Sequence, residues 1–195
     1  MIIDRSVLVM FSGGADSVYM FQIAGQMYRP ECINTCIVNY GQKHSQELYV
    51  ARNFLQDNKA NFNKLFELNI SDISKHLRSK LIDDSGVKYE GVSEWHVPGR
   101  NLMFLSMAYA ICESNNIDKI WIGCDFSDRL GLFPDCYQEW VVKVNELFKM
   151  NGSKEVNVVA PLLGMTKEMI TTLLDEQYNI EMNDIYSGYG ELEDQ

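Results

Sequence analysis

The string Ser12-Gly13-Gly14-Ala15-Asp16-Ser17 sets two glycines among hydroxyl and carboxylate side chains, directly after the apolar run Val7-Leu8-Val9-Met10-Phe11 and before Val18-Tyr19-Met20-Phe21. Glycine adopts backbone conformations closed to other residues, and without a side chain its N–H can come close to an anion. A helix starting there adds its unpaired N–H groups and the positive end of its dipole. Ser12 and Ser17 supply hydroxyl donors, and Asp16 is a candidate ligand for a magnesium ion bridging phosphate oxygens. The chemistry this suits is the holding of a phosphate chain. A glycine pair alone would be no more than a tight turn; the whole string, placed after a first strand, carries the phosphate reading. It is not a Walker loop, because no Lys-Ser/Thr follows the glycines at that spacing.

Four further groups could take part. In Tyr40-Gly41-Gln42-Lys43-His44, Gln42 offers both donor and acceptor to a heterocycle, and His44 can exchange a proton with a reacting group. A polar turn before a helix would account for the same residues. In Val97-Pro98-Gly99-Arg100-Asn101 the proline and glycine fix a turn, and Arg100 stands near a helix start, able to bind a carboxylate or phosphate bidentately. The plainer alternative is a surface ion pair. The stretch 123–136 carries Asp125, Asp128 and Asp135, the last two bracketing apolar residues, which directs them inward. Lys167 falls in the first turn of a predicted helix, where a cation sits poorly against the dipole, and reaching a phosphate would justify it.

These groups need elements to bring them together. Strand-like runs lie at 7–11, 33–39, 64–70, 119–123 and 156–160, and helix-like segments at 17–27, 45–58, 101–115, 135–150 and 166–178. Ser45 and Thr166 are helix-cap candidates, and Glu47 in a first turn meets the dipole favourably. The segment 101–115 is apolar almost throughout, as expected of a helix buried on most sides or shared with a partner. Strand alternating with helix predicts an α/β fold with a parallel five-stranded sheet and helices on both faces. The groups above fall at predicted strand ends or helix starts, and such sheets bind ligands at the carboxyl ends of their strands. Residues 1–195 read as a single domain, with a lid loop near 82–96 and a short acidic tail over 187–195.

The chain of 195 residues, 46% hydrophobic, is long enough for one substantial core. It has no apolar run of membrane-spanning length and no signal-peptide pattern, so a cytoplasmic protein is expected. The formal net charge of −10 argues against direct nucleic-acid binding and requires that any anionic ligand be met by locally gathered positive groups. The odd count of five cysteines favours reduced thiols, and Cys32 with Cys36 lack zinc-knuckle spacing and fit packing.

The phosphate string resembles the pyrophosphate loop of the N-type ATP pyrophosphatases, the adenine nucleotide alpha-hydrolase-like fold. Together with Tyr40-Gly41-Gln42-x-His44, Val97-Pro98-Gly99-Arg100-Asn101, Pro134-Asp135-Cys136 and the stretch ending in Lys167, the chain resembles the 7-cyano-7-deazaguanine synthase family, QueC, over residues 7–167. That resemblance implies an ATP-dependent ligase of queuosine biosynthesis, acting on 7-carboxy-7-deazaguanine and ammonia through an adenylated acid and an amide. It implies ATP and magnesium, small-molecule partners and a homodimer. It places Phe11, Ser12, Gly13, Gly14, Ala15, Asp16, Ser17, Val18 and Lys167 on the nucleotide, and Asp16, Lys167, His44 and Arg100 in catalysis. Tyr40, Gln42, His44, Arg100, Asn101, Asp125, Asp128 and Asp135 are the candidates for the deazaguanine and the reacting group.

The chain departs from the family pattern on the substrate side. No cysteine follows Cys136, so no zinc site is expected, and Tyr186 and Tyr189 occupy the corresponding stretch. The loop from Asp128 to Asp135 is one residue longer than usual, and Tyr137 stands where an arginine usually follows the cysteine. Other outcomes stay open: a product that stops at the amide, another acceptor, or a nucleotide-binding module without catalysis. A tRNA-thiolating enzyme would carry a cysteine pair and a basic extension, neither of which is evident.

Overall fold

The computed structural model describes residues 3, 5–43, 46–82, 90–93, 95–152, 154–182 and 185. Five strands, β1 (Val7–Met10), β2 (Ile33–Asn39), β3 (Lys64–Asn69), β4 (Lys119–Trp121) and β5 (Asn157–Val159), form one sheet. All neighbours are parallel, in the order β3-β2-β1-β4-β5. Val7 of β1 stands opposite Ile33 on one side and Lys119 on the other. The helices are α1 (Ala15–Met27), α2 (Gln46–Asp57), α3 (Arg100–Asn115), α4 (Phe126–Leu130), α5 (Gln138–Asn151) and α6 (Lys167–Tyr178).

The chain steps outward from β1 to β3, then crosses back through α3 to lay β4 on the far side of β1. The strand order therefore reverses at the β1/β4 boundary. The loops leaving those two strands diverge there and open a crevice at their carboxyl ends.

The strands carry apolar residues on both faces, as a covered parallel sheet requires. Val7 and Val9 pack with Phe21 of α1, Ala51 and Leu55 of α2, and Ile170 and Leu174 of α6. Leu8 and Met10 pack with Leu105 and Cys112 of α3 and with Val141 and Phe148 of α5. The expected arrangement, helices on both faces of a five-stranded parallel sheet, is the one observed. Every cysteine is a free thiol, and Cys36 is buried in the core. No helix among the described residues is long and apolar enough to cross a membrane.

Several boundaries differ from expectation for local reasons. The first helix begins at Ala15 rather than residue 17, because Gly14 already has the extended backbone of an N-cap. The stretch after β4, expected to be all loop, contains α4. Asp125 accepts from the Asp128 N–H at 2.8 Å, and Asp128 accepts from the Asp125 N–H at 3.3 Å, a reciprocal cap that nucleates the turn. Helix α5 then starts at Gln138, three residues after the expected position. Helix α3 buries Leu105, Ala108, Tyr109 and Cys112 and leaves Leu102 42% exposed. Of the 82–96 loop, residues 83–89 and 94 lie outside the described residues, as do His44, Ser45 and the 187–195 tail. The described part of that loop is tied to the α4–α5 connection by the Ser93 N–H, which donates to the Leu132 carbonyl at 3.3 Å.

Candidate active site

The loop between β1 and α1 is shaped by its glycines. Gly13 has φ +87°, in the left-handed region, and a Cβ there would stand 3.0 Å from the Cβ of Ala51, so only glycine lets the loop lie against α2. No side chain caps α1. Its first internal hydrogen bond runs from the Val18 N–H to the Gly14 carbonyl at 3.0 Å, so the N–H groups of Ala15, Asp16 and Ser17 precede the helical ladder. The Ser17 hydroxyl donates to the Gly14 carbonyl at 2.9 Å and accepts from the Gly13 N–H at 3.0 Å and from Ser12 Oγ at 3.3 Å. It braces the loop from inside.

Across the β1/β4 boundary, Gly123 again matters for its missing side chain. A Cβ there would meet the Cβ of Asp16 at 3.3 Å, so the end of β4 can close onto the start of α1. Lys167 is the first residue of α6, which Thr166 caps by accepting from the Met169 N–H at 3.2 Å. The backbone N–H of Lys167 donates to Ser127 Oγ on α4 at 3.0 Å. Its ammonium lies 2.5 Å from Asp16 Oδ2 and 3.2 Å from Asp125 Oδ2. Lys167 thus links α1, α4 and α6.

Carboxylate oxygens of Asp16, Asp125 and Asp128 come within 4.8 Å of one another. Three acids share one ammonium, and two of them, Asp16 and Asp128, hold their protons more tightly than an ordinary carboxylate. Burial raises Asp16 above the usual carboxylate range, against the pull of Lys167 and with the help of Asp125. Burial, then Asp125 and Asp16, pushes Asp128 up to about 6. For Lys167, burial works against the charged form but is outweighed by Asp16, Asp125 and Asp128, and the net direction is upward. Asp16 Oδ1 is buried with no hydrogen-bond partner. An all-oxygen donor set of this charge, with an acceptor left unused, fits a hard divalent cation such as magnesium.

Beside this cluster opens a cavity of about 680 Å³. Its floor is apolar, made by Met10, Cys36, Ile37, Val38 and Ile122 at the ends of β1, β2 and β4. Burial pushes the Cys36 thiol up to about 12, which keeps it protonated and inert as a nucleophile. One wall is aromatic and cationic. Tyr40 and Phe104 have ring centres 5.4 Å apart, and the Arg100 guanidinium carbon lies 5.9 Å from the Tyr40 ring centre. Arg100 opens α3 directly after Gly99, whose φ of +68° turns the chain into the helix. Asn101, 8% exposed, follows on the same wall. Gln42 turns back and accepts from the Tyr40 N–H at 3.2 Å.

Most of the residues expected from sequence meet at this cavity: Phe11, Ser12, Gly14, Ala15, Asp16, Ser17, Tyr40, Gln42, Arg100, Asn101, Asp128 and Lys167. Gly13 lies behind the loop against α2, and Val18 is fully buried in the core, so neither forms the wall. Asp125 is fully buried beneath it as a partner of Lys167 and cap of α4. Asp135 is also buried off the wall, with its carbonyl accepting from Cys124 Sγ at 3.8 Å and its Oδ1 from Cys136 Sγ at 3.9 Å. His44 lies outside the described residues.

The cavity also has wall residues that sequence reading did not assign to it: Glu47, Ser127, Phe104 and Phe133. Glu47 had a sufficient local explanation at a helix start, and the aromatic residues carry no polar signal. His96, which does not line the cavity, is lowered by burial, with Asp135 opposing and Arg100 reinforcing the shift, so its neutral imidazole is favoured.

A family model described as queuosine biosynthesis protein QueC matches residues 6–195. A 7-cyano-7-deazaguanine synthase of Hydrogenovibrio crunogenus is 33% identical over 181 residues, covering 86% of this chain and 75% of its own. One of Prochlorococcus marinus is 29% identical over 178 residues, covering 87% of this chain and 78% of its own. Among solved structures, the U34-tRNA thiolase NcsA of Methanococcus maripaludis superposes with a TM-score of 0.61 at 13% identity, covering 97% of this chain and 61% of that one. The NH3-dependent NAD synthetase of Campylobacter jejuni does so with a TM-score of 0.54 at 14% identity, covering 93% and 69%. At that identity the two structures speak for the fold alone, the PP-loop adenine nucleotide alpha-hydrolase fold. The family match over nearly the whole chain, the curated relatives and the loop-and-wall cavity at the sheet's reversal agree, and the chain belongs to the QueC family.

Proposed function

We propose that this chain is an ATP-dependent carbon–nitrogen ligase converting 7-carboxy-7-deazaguanine and ammonia to 7-cyano-7-deazaguanine. The observation that carries this reading is a single cavity bounded by the β1–α1 loop, Lys167 and the Tyr40–Arg100–Asn101 wall, in a chain with QueC relatives. The substrate carboxylate oxygen attacks the α-phosphorus of ATP, and pyrophosphate leaves. Ammonia attacks the adenylated carbonyl carbon, AMP departs and a proton is lost, giving the amide. The amide oxygen attacks a second ATP in the same way; loss of AMP and the remaining N–H protons leaves the nitrile.

Both activations need an oxygen held in line with the α-phosphorus and charge neutralised on the departing pyrophosphate. Ser12, the N–H groups of Ala15, Asp16 and Ser17, and Lys167 serve the second need; Arg100 holds the substrate carboxylate for the first. Tyr40 and Phe104 offer faces to a fused heterocycle, and Gln42 and Asn101 take its polar edge. Asp16, with Asp125 and Asp128, would hold magnesium, which supplies further charge neutralisation on the phosphates. The chain works in the cytoplasm as a homodimer, for which the exposed Leu102 side of α3 is the surface offered.

Mass spectrometry of products from the acid, ammonium and ATP tests the proposal. The expected result is nitrile with two AMP per turnover. Folded protein that forms no AMP with these substrates would overturn it, and amide as the final product would restrict it to the first activation.

A further inference from the structure

We infer that Glu47 is the residue that recognises the ribose hydroxyls of the nucleotide; the inference rests on ATP being the co-substrate. Three carboxylates line the cavity among the described residues: Asp16, Glu47 and Asp128. Asp16 and Asp128 belong to the acidic cluster around Lys167, on the β4 side of the phosphate loop. Glu47 belongs to α2, which follows β2, so it faces the loop from the opposite side.

Its distance from the loop is constrained by packing. Gly13 lies directly against Ala51, where even an added Cβ would find only 3.0 Å. The Phe11 and Phe54 rings stack with centres 5.6 Å apart, fixing α2 against the end of β1. Glu47 is one helical turn before Ala51 and therefore on the same side of α2, displaced towards the cavity mouth. Leu48 beside it joins Ile37 and Val38 in an apolar surface suited to the flat face of a base.

Beside a phosphate-binding loop a carboxylate repels the phosphates, so the groups it can usefully meet on the ligand are hydrogen-bond donors. The adenosine part of ATP offers two kinds, the vicinal 2′- and 3′-hydroxyls and the 6-amino group. A carboxylate accepts from both hydroxyls of a diol at once through its two oxygens. An acidic side chain after the second strand of a nucleotide-binding sheet is well placed for that contact, because the sugar lies between the phosphates and the base. Glu47 stabilises α2 through the helix dipole as well, but that effect is indifferent to the sugar.

Equilibrium binding without acceptor separates the two roles. Wild type, Glu47→Gln and Glu47→Ala are titrated with ATP, 2′,3′-dideoxy-ATP and ITP in the presence of magnesium. Wild type is expected to bind ATP about 10–100-fold more tightly than the dideoxy form, the size of hydrogen bonds to a charged group. Glu47→Ala is expected to bind both at the weaker level and to keep the wild-type ratio of ATP to ITP. Glu47→Gln, which keeps the shape and one acceptor, falls between them and covers the case in which the alanine variant is unstable. A variant that keeps the full preference for the ribose, or loses the preference over ITP instead, overturns the inference. Failure of the deazaguanine acid as acceptor would leave these ratios unchanged, whereas wild type that binds no nucleotide overturns the inference and ATP use together.

Discussion

Lys167 and its three acidic neighbours set the electrostatics of the site. The sequence directs this cation at a helix start towards a phosphate, and in the structure its ammonium meets Asp16, at 2.5 Å. Asp128 bears the cost of the crowding. Its folded-state proton affinity, about 6, lies above that of an unfolded aspartate, so the charged form destabilises the fold at neutral pH. As pH falls from 7 through 6 towards 4, the folded chain takes up a proton that the unfolded chain does not, and this contribution to stability rises. In metal-free protein with chelator, thermal melting of Asp128→Asn is therefore expected to be higher at pH 7.5 by about 2–4 °C, on the order of 1 kcal/mol for a half-buried group. The wild-type advantage from lowering the pH should disappear in the variant. An identical pH profile for the two proteins would contradict the assignment.

At the level of elements, the β1–α1 loop depends on α2 as much as on its own glycines. Gly13→Ala places a side chain at φ +87° and 3.0 Å from Ala51. The expected loss is about 2 kcal/mol of stability, seen as a melting point lower by about 4–8 °C, with nucleotide binding weakened at least about tenfold. Calorimetric titration beside thermal melting checks both, and a variant that binds ATP normally would show that the loop tolerates displacement.

The same comparison explains what could be read from the sequence. Glycine, serine and the flanking apolar runs identify this loop because its chemistry is local. The strands were legible for the same reason, the first as an unbroken apolar run and the others as short runs rich in Ile, Val, Leu and Phe. Helix α4 was not, because its cap uses aspartate at both ends and the turn is followed closely by Gly131 and Pro134. Asp135 is inward-facing as its neighbours suggest, yet its neighbours include the thiols of Cys124 and Cys136 rather than the cavity, a distinction that only packing decides. Glu47 stayed hidden because a local reason for an acid at a helix start concealed a tertiary one.

For the whole molecule, the decisive fact is that one sheet edge gathers groups from residue 11 to residue 167. Ligand binding there couples to global stability, since the unfolded chain has no such edge. With ATP and magnesium at about 100 times the dissociation constant, stability should rise by about 2.7 kcal/mol and melting by about 5–10 °C. The shift should shrink with chelator and vanish in Asp16→Asn. An undiminished shift in that variant would remove Asp16 from the nucleotide site.

The contact between Lys167 and Asp16 has one more effect, on the end of the catalytic cycle. In the reaction proposed above, a triphosphate that takes Lys167 as its partner must win the ammonium away from two aspartates, so its grip is weaker than the bare charge would give. The same rivalry then favours departure. Once the bond to the α-phosphorus is broken in that reaction, Asp16 and Asp125 would compete for the ammonium with the spent pyrophosphate, and the site would reset by taking back its own counter-ion.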